Sequence, residues 1–102
     1  MTKLEKDIEQ NLRRLVENYG GWCLKWVCPG WCGVPDRILL LPGGVVIFAE
    51  IKRPKGGKYS AMQDKWRDWL KGMGFDYYRI KDTQELVTFE LIILDTMGRS
   101  KR

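Results

Sequence analysis

The chain has 102 residues, enough for one domain and no more. Hydrophobic residues make up 44% and charged residues 30%, which excludes a disordered chain and allows one modest core. Lys plus Arg is 18 against 13 Asp plus Glu, and the net charge of +5 favours a polyanionic partner; with no histidine, a Ser-His-Asp triad, a Cys-His dyad and His-ligated zinc or haem are excluded.

Thr2-Lys3-Leu4-Glu5 reads as a capping box opening a helix. Leu4, Ile8, Leu12, Leu15, Val16 and Tyr19 follow at helical spacing, and Gly20-Gly21 ends the run. The aromatic and aliphatic run from Trp22 to Cys28 predicts a strand, and Pro29-Gly30 with Gly33 predicts a loop. Two strands are expected at 37–41 and 45–52, joined as a tight hairpin by Pro42-Gly43-Gly44. A basic loop holds Pro54 and Gly56-Gly57. Ser60 opens a second helix through Met62, Trp66, Trp69, Leu70 and Met73. A fourth strand is expected at 75–80, then a helix over roughly 84–95 capped by Asp82 or Thr83. Residues 1–98 form the expected domain, and 99–102 a frayed basic tail. The resulting fold class is α/β, a mixed sheet flanked by helices in the order α-β-β-β-α-β-α.

Cys23, Cys28 and Cys32 cannot all pair within the chain, and they fall short of the four ligands of a structural zinc site. With a charged, non-apolar N-terminus, they read as reduced thiols of a cytoplasmic protein. No apolar run is long enough to cross a bilayer, so no membrane partner is expected.

The chemistry concentrates between Pro35-Asp36 and Glu50-Ile51-Lys52. Alternation along the strand puts Glu50 and Lys52 on one face with Val46 and Phe48, and Val45, Ile47, Ala49 and Ile51 on the other. Both faces are largely apolar, the pattern of a central strand. If Leu41 pairs with Val45, antiparallel register sets Asp36 opposite Glu50, with Cβ atoms roughly 4.5–5.5 Å apart. Carboxylates that close repel, and a divalent cation with oxygen ligands resolves the conflict. Asp36 also fits a turn after Pro35, and Glu50 with Lys52 an edge-strand ion pair. Both carboxylates on one hairpin favour the metal.

Gly33-Val-Pro-Asp36, then Gly44 through Glu50-Ile-Lys52-Arg-Pro54, then Ser60-Ala-Met-Gln63, resembles the VRR-NUC branch of the PD-(D/E)XK nucleases. The resemblance runs from Glu5 to about Glu85 and implies a restriction-endonuclease-like core. It implies a Mg²⁺ or Mn²⁺ site at Asp36, Glu50 and the Ile51 carbonyl, with Lys52 beside it. It also implies a glutamate from the first helix, best aligned with Glu5, with Glu9 in reserve. Glu5 is equally the third helical residue of the Thr2 capping box. Gln63 carries the same ambiguity, since Ser60-x-x-Gln63 is a capping box and the family has a glutamine at the site. Lys25 matches a strand lysine of the family and faces either the cleft or solvent. Arg53, Lys55 and Lys58 lie in or beside a basic loop suited to a phosphate backbone or simply to solvent. Among the tryptophans, Trp31 is best placed to meet nucleic acid or a partner subunit.

The expectation is a metal-dependent endonuclease without a small-molecule cofactor. The stand-alone family members it resembles act on branched DNA such as four-way junctions, which implies a homodimer with two equivalent sites. The location implied is the cytoplasm of a bacterial or phage-infected cell. The alternative is a non-catalytic nucleic-acid-binding module that keeps the nuclease fold.

Overall fold

The structure, a computed structural model, describes residues 3–51 and 58–100, with side chains described for 6–51 and 58–99. The elements follow the order α1 (Lys3–Asn18), β1 (Trp22–Lys25), β2 (Arg37–Leu41), β3 (Val45–Ile51), α2 (Ala61–Gly72), β4 (Asp76–Ile80) and α3 (Thr83–Ser100). The sheet runs β1-β2-β3-β4. Its first three strands are antiparallel, and β4 lies parallel to β3 after the α2 crossover. This is the expected mixed sheet and element order.

Apolar residues at a spacing of four put Ile8, Leu12 and Val16 on one stripe of α1. They pack with Leu39, Ile47, Ala49 and Ile51 of the central strands and with Leu86, Phe89 and Ile93 of α3. On the opposite sheet face, α2 contributes Leu70 and Trp66 to a smaller cluster with Phe48, Tyr77, Trp26 and Ile38. Alternation along β3 therefore sends Ile47, Ala49 and Ile51 toward α1 and α3, and Phe48 and Glu50 toward α2.

The hairpin has the expected register, from Leu41 opposite Val45 to Arg37 opposite Ala49. Gly43 and Gly44 make its turn at φ of +88° and +75°, a conformation side chains resist. Gly33 matters for a different reason. At φ +80° it lies so close to α2 that a Cβ there would meet the Met62 Cβ at 2.6 Å. The loop leading into Asp36 is thereby seated on the first turn of α2.

Two boundaries differ from expectation by more than one residue. β1 ends at Lys25, not Cys28, because β2 offers no strand residue beyond Arg37. Trp26 turns into the α2 face, its ring 5.2 Å from Phe48. α3 continues past Asp95 to Ser100, which places Arg99 within the helix. The buried Ile93 and Thr96 and the Asp95–Arg99 pair at 3.3 Å carry that extra turn. Lys101 and Arg102 lie outside the described residues. Asp82 is the cap of α3, accepting the Glu85 N–H at 2.8 Å. Among the described residues, no helix is long and apolar enough to cross a membrane.

Candidate active site

Glu50 ends the α2-facing row of the central strand and is fully buried. Both its oxygens are hydrogen-bonded: Gln63 Nε2 donates to Oε1 at 3.0 Å, and the Tyr77 hydroxyl donates to Oε2 at 2.9 Å. Burial pushes its pKa up to about 7, and the charge of Asp36 pushes the same way. The hydrogen bonds from Tyr77 and Gln63 and the nearby Arg79 charge oppose that rise without cancelling it.

Asp36 stands one residue before β2, so the hairpin register carried one step further sets it across from Glu50. Its Oδ2 accepts the Ile51 N–H at 2.8 Å, and its carbonyl accepts the Trp26 N–H at 3.1 Å. The side chain thus takes over where the β2–β3 backbone ladder stops. It keeps its charge close to the buried carboxylate of the next strand.

Gln63 serves two ends at once. Its Oε1 accepts the Ser60 N–H at 2.7 Å and its N–H donates to Ser60 Oγ at 3.1 Å, the reciprocal capping box of α2. The amide nitrogen remains to reach Glu50. Next along the helix, Asp64 Oδ1 accepts from Arg79 Nη2 at 2.7 Å. Arg79 Nε donates to the Tyr77 hydroxyl at 3.0 Å, and its guanidinium lies 3.6 Å from the centre of the Tyr59 ring.

Glu9 lies on the other side of the sheet. Arg37 donates to its Oε1 from Nη2 at 2.7 Å and from Nε at 3.1 Å, in a half-buried pair. Glu5 falls within α1, but its side chain lies outside the described residues, as do Lys52, Arg53 and Lys55. Lys25 is exposed at the end of β1, register partner of Arg37, and Lys58 is exposed ahead of α2. Trp31 is 59% exposed and meets Trp66 edge-on at 5.7 Å. The three cysteines are free thiols. Burial pushes Cys23 up to about 11, which suits a packed thiol and not a nucleophile.

No group of three or more Cys, Asp or Glu side chains able to hold a metal occurs among the described residues. Two carboxylates are nevertheless brought together, one of them buried and resisting ionisation. That donor set is oxygen-only and strained by like charge, and it fits a hard divalent ion completed by backbone carbonyl, water and phosphate. A soft metal is not suited to it.

No family model matches the chain. A curated relative, "Putative nuclease p44" of Acyrthosiphon pisum secondary endosymbiont phage 1, is 39% identical over 82 residues, covering 80% of this chain and 86% of the relative. A solved structure described as "VRR_NUC domain" superposes with a TM-score of 0.80 at 22% identity, covering 85% of this chain and 94% of that one. The chain belongs to the family of this phage protein, and its fold is the VRR-NUC fold. Tyr77, Arg79 and Asp64 join the candidate site without having been singled out from the sequence. Alternation in Tyr77-Tyr78-Arg79 places the first and third on one face. What links them to Glu50 is the parallel register, Phe48 opposite Tyr77 and Glu50 opposite Arg79.

Proposed function

We propose that the protein is a nuclease that hydrolyses DNA phosphodiester bonds with a bound divalent cation. The observation that carries this reading is the convergence of Asp36 with the fully buried Glu50 at one end of the β2–β3 hairpin. A buried carboxylate facing a like charge is unfavourable, and a cation site is the chemistry that makes it useful. The phage relative, named as a nuclease, supports the same reading.

Asp36, Glu50 and the Ile51 carbonyl would hold Mg²⁺ or Mn²⁺, with Glu5 from α1 as a further acidic group. Such an ion, when bound, supplies Lewis acidity at the phosphoryl group and makes water a better nucleophile. Lys52 neutralises charge that develops on the phosphate or orients the attacking water. Gln63 holds the Glu50 carboxylate in place by its amide hydrogen bond. No side chain is needed as a covalent nucleophile. The net charge of +5, with Lys25, Arg53, Lys55 and Lys58, supplies backbone contacts to the nucleic acid.

The substrate we propose is branched DNA such as a four-way junction, cut by a homodimer. Two symmetric cuts need two equivalent sites, which a two-fold dimer presents. Exposed Val87, Leu91 and Leu94, spaced by four and three along α3, offer apolar surface that a second copy can cover. Free thiols and the phage relative favour the cytoplasm of a bacterial or phage-infected cell as the place of action.

The test is incubation with linear, flap, splayed and four-way DNA in Mg²⁺, Mn²⁺ or EDTA, with Asp36→Asn and Glu50→Gln alongside. Cleavage that needs the cation and both carboxylates is the expected result. Cation-independent cleavage, or full activity in either variant, overturns the site. DNA binding without cleavage under all conditions supports a non-catalytic module instead.

A further inference from the structure

We infer that Tyr77 is a positioning residue for the Glu50 carboxylate, oriented by Arg79 and anchored through it to the first turn of α2. This rests on the proposed cation site and adds to it a residue outside the motif that suggested the site.

The argument begins with the phenol. A hydroxyl has one proton to donate and lone pairs to accept with. Arg79 Nε donates to the Tyr77 oxygen at 3.0 Å, and a guanidinium is only ever a donor. The Tyr77 proton therefore points to its other neighbour, Glu50 Oε2, at 2.9 Å. Reversal of that bond would leave the Tyr77 proton with neither of these partners to accept it. Arg79 is fixed in turn, by Asp64 Oδ1 at 2.7 Å and by the Tyr59 ring against its plane. Asp64 directly follows Gln63, which donates to the other oxygen of Glu50.

Both hydrogen bonds on Glu50 thus trace back to one helical turn. Gln63 reaches Oε1 directly, and Asp64 reaches Oε2 through Arg79 and Tyr77. Each carboxylate oxygen can accept more than one bond, so this clamp fixes the carboxylate plane and leaves acceptor capacity for a cation. Partners of this kind orient a metal-binding carboxylate, and their loss typically weakens metal affinity 10–100-fold. A purely structural account would need the hydroxyl only to satisfy a buried oxygen, and that account predicts no effect on cation affinity once the variant is folded.

The experiment measures Mn²⁺ binding by calorimetry and electron paramagnetic resonance for wild type, Glu50→Gln, Tyr77→Phe, Arg79→Met and Arg79→Lys, each shown to be folded by circular dichroism. Tyr77→Phe should weaken Mn²⁺ about tenfold or more and lower kcat on DNA with KM little changed. Arg79→Met should weaken Mn²⁺ in the same direction, and Arg79→Lys, which keeps a donor for the phenol, should recover part of the loss. Wild-type affinity in a folded Tyr77→Phe overturns the inference and leaves the cation site standing. If Tyr77→Phe does not fold, the two Arg79 variants decide: equal affinity in both, matching wild type, overturns it. No Mn²⁺ binding by wild type, or binding unaltered in Glu50→Gln, overturns the cation site and the inference with it.

Discussion

Gln63 splits its amide between Ser60, whose N–H its Oε1 accepts at 2.7 Å, and Glu50, to which its Nε2 donates at 3.0 Å. Helix capping and site geometry are thus one constraint. The two roles separate by substitution. Ser60→Ala removes the cap acceptor and should lower stability by about 0.5–2 kcal/mol, with cleavage per folded molecule nearly unchanged. Gln63→Glu retains a capping side chain but sets a third carboxylate against Glu50. Cleavage at neutral pH should fall at least about tenfold, and thermal melts should show a larger loss of stability at pH 8 than at pH 5. Wild-type cleavage by Gln63→Glu would reduce Gln63 to a cap.

Asp36 has a structural duty as well as a charge, because its Oδ2 holds the Ile51 N–H. Asp36→Asn keeps an oxygen for that N–H and removes the like charge beside Glu50, so the cation-free protein should be as stable as wild type or slightly more so. Asp36→Ala loses the acceptor and should destabilise by about 1–3 kcal/mol. For a domain of this size that is a fall in Tm of several degrees or more. Neither variant should cleave. A clear drop in Tm for Asp36→Asn would mean that its charge, and not merely its oxygen, is a native partner.

Stability should also depend on pH through Glu50. Its folded-state pKa, about 7, lies above the ordinary value of 4.5, so between these the folded protein binds more protons than the unfolded chain. This contribution to stability is fully present below about pH 4.5, declines as pH rises, and is gone above about pH 7. Denaturant melts of the cation-free protein should show that decline, and Glu50→Gln should flatten it. Adding Mg²⁺ at pH 8 should raise the wild-type Tm and leave Glu50→Gln unmoved. A wild-type stability independent of pH across this window would refute the burial argument.

The hairpin was legible from the sequence for a specific reason. Pro42-Gly43-Gly44 restricts the turn, and a strand apolar on both faces can occupy only the middle of a sheet. Those two facts carry Asp36 to Glu50 without tertiary information. Tyr77 and Arg79 were not legible because the offset of a parallel strand is set by how the crossover helix packs, not by a turn. Gln63 was legible as a choice between cap and site, and in the structure one amide makes both contacts. The pairing of Glu9 with Arg37, 28 residues apart, has no local signature, so an equivalence between Glu5 and Glu9 on one helical side was the most the spacing allowed.

That pairing makes Glu5 and Glu9 of α1 separable by experiment. Glu9 holds Arg37 in a half-buried ion pair at 2.7 Å on the face of the sheet away from the Glu50 side chain. Glu9→Gln leaves the Arg37 charge with a weaker partner and should lower stability by about 1–3 kcal/mol, while cleavage per folded molecule stays within a few-fold of wild type. Glu5 is the α1 glutamate proposed for the site, and Glu5→Gln keeps a side chain competent in the capping box that the sequence predicts at Thr2. If the Glu5 charge serves the site, that variant should lose at least about tenfold in rate, or roughly 1.4 kcal/mol of barrier, with Tm nearly unchanged. Thr2→Ala gives the opposite pattern, a loss of stability with cleavage retained. Single-turnover rates and melts on the four proteins decide the matter. Slow cleavage in Glu9→Gln with full cleavage in Glu5→Gln would transfer the role to Glu9 and require Arg37 to release it when DNA binds. Wild-type rates in both would confine the acidic site to Asp36 and Glu50.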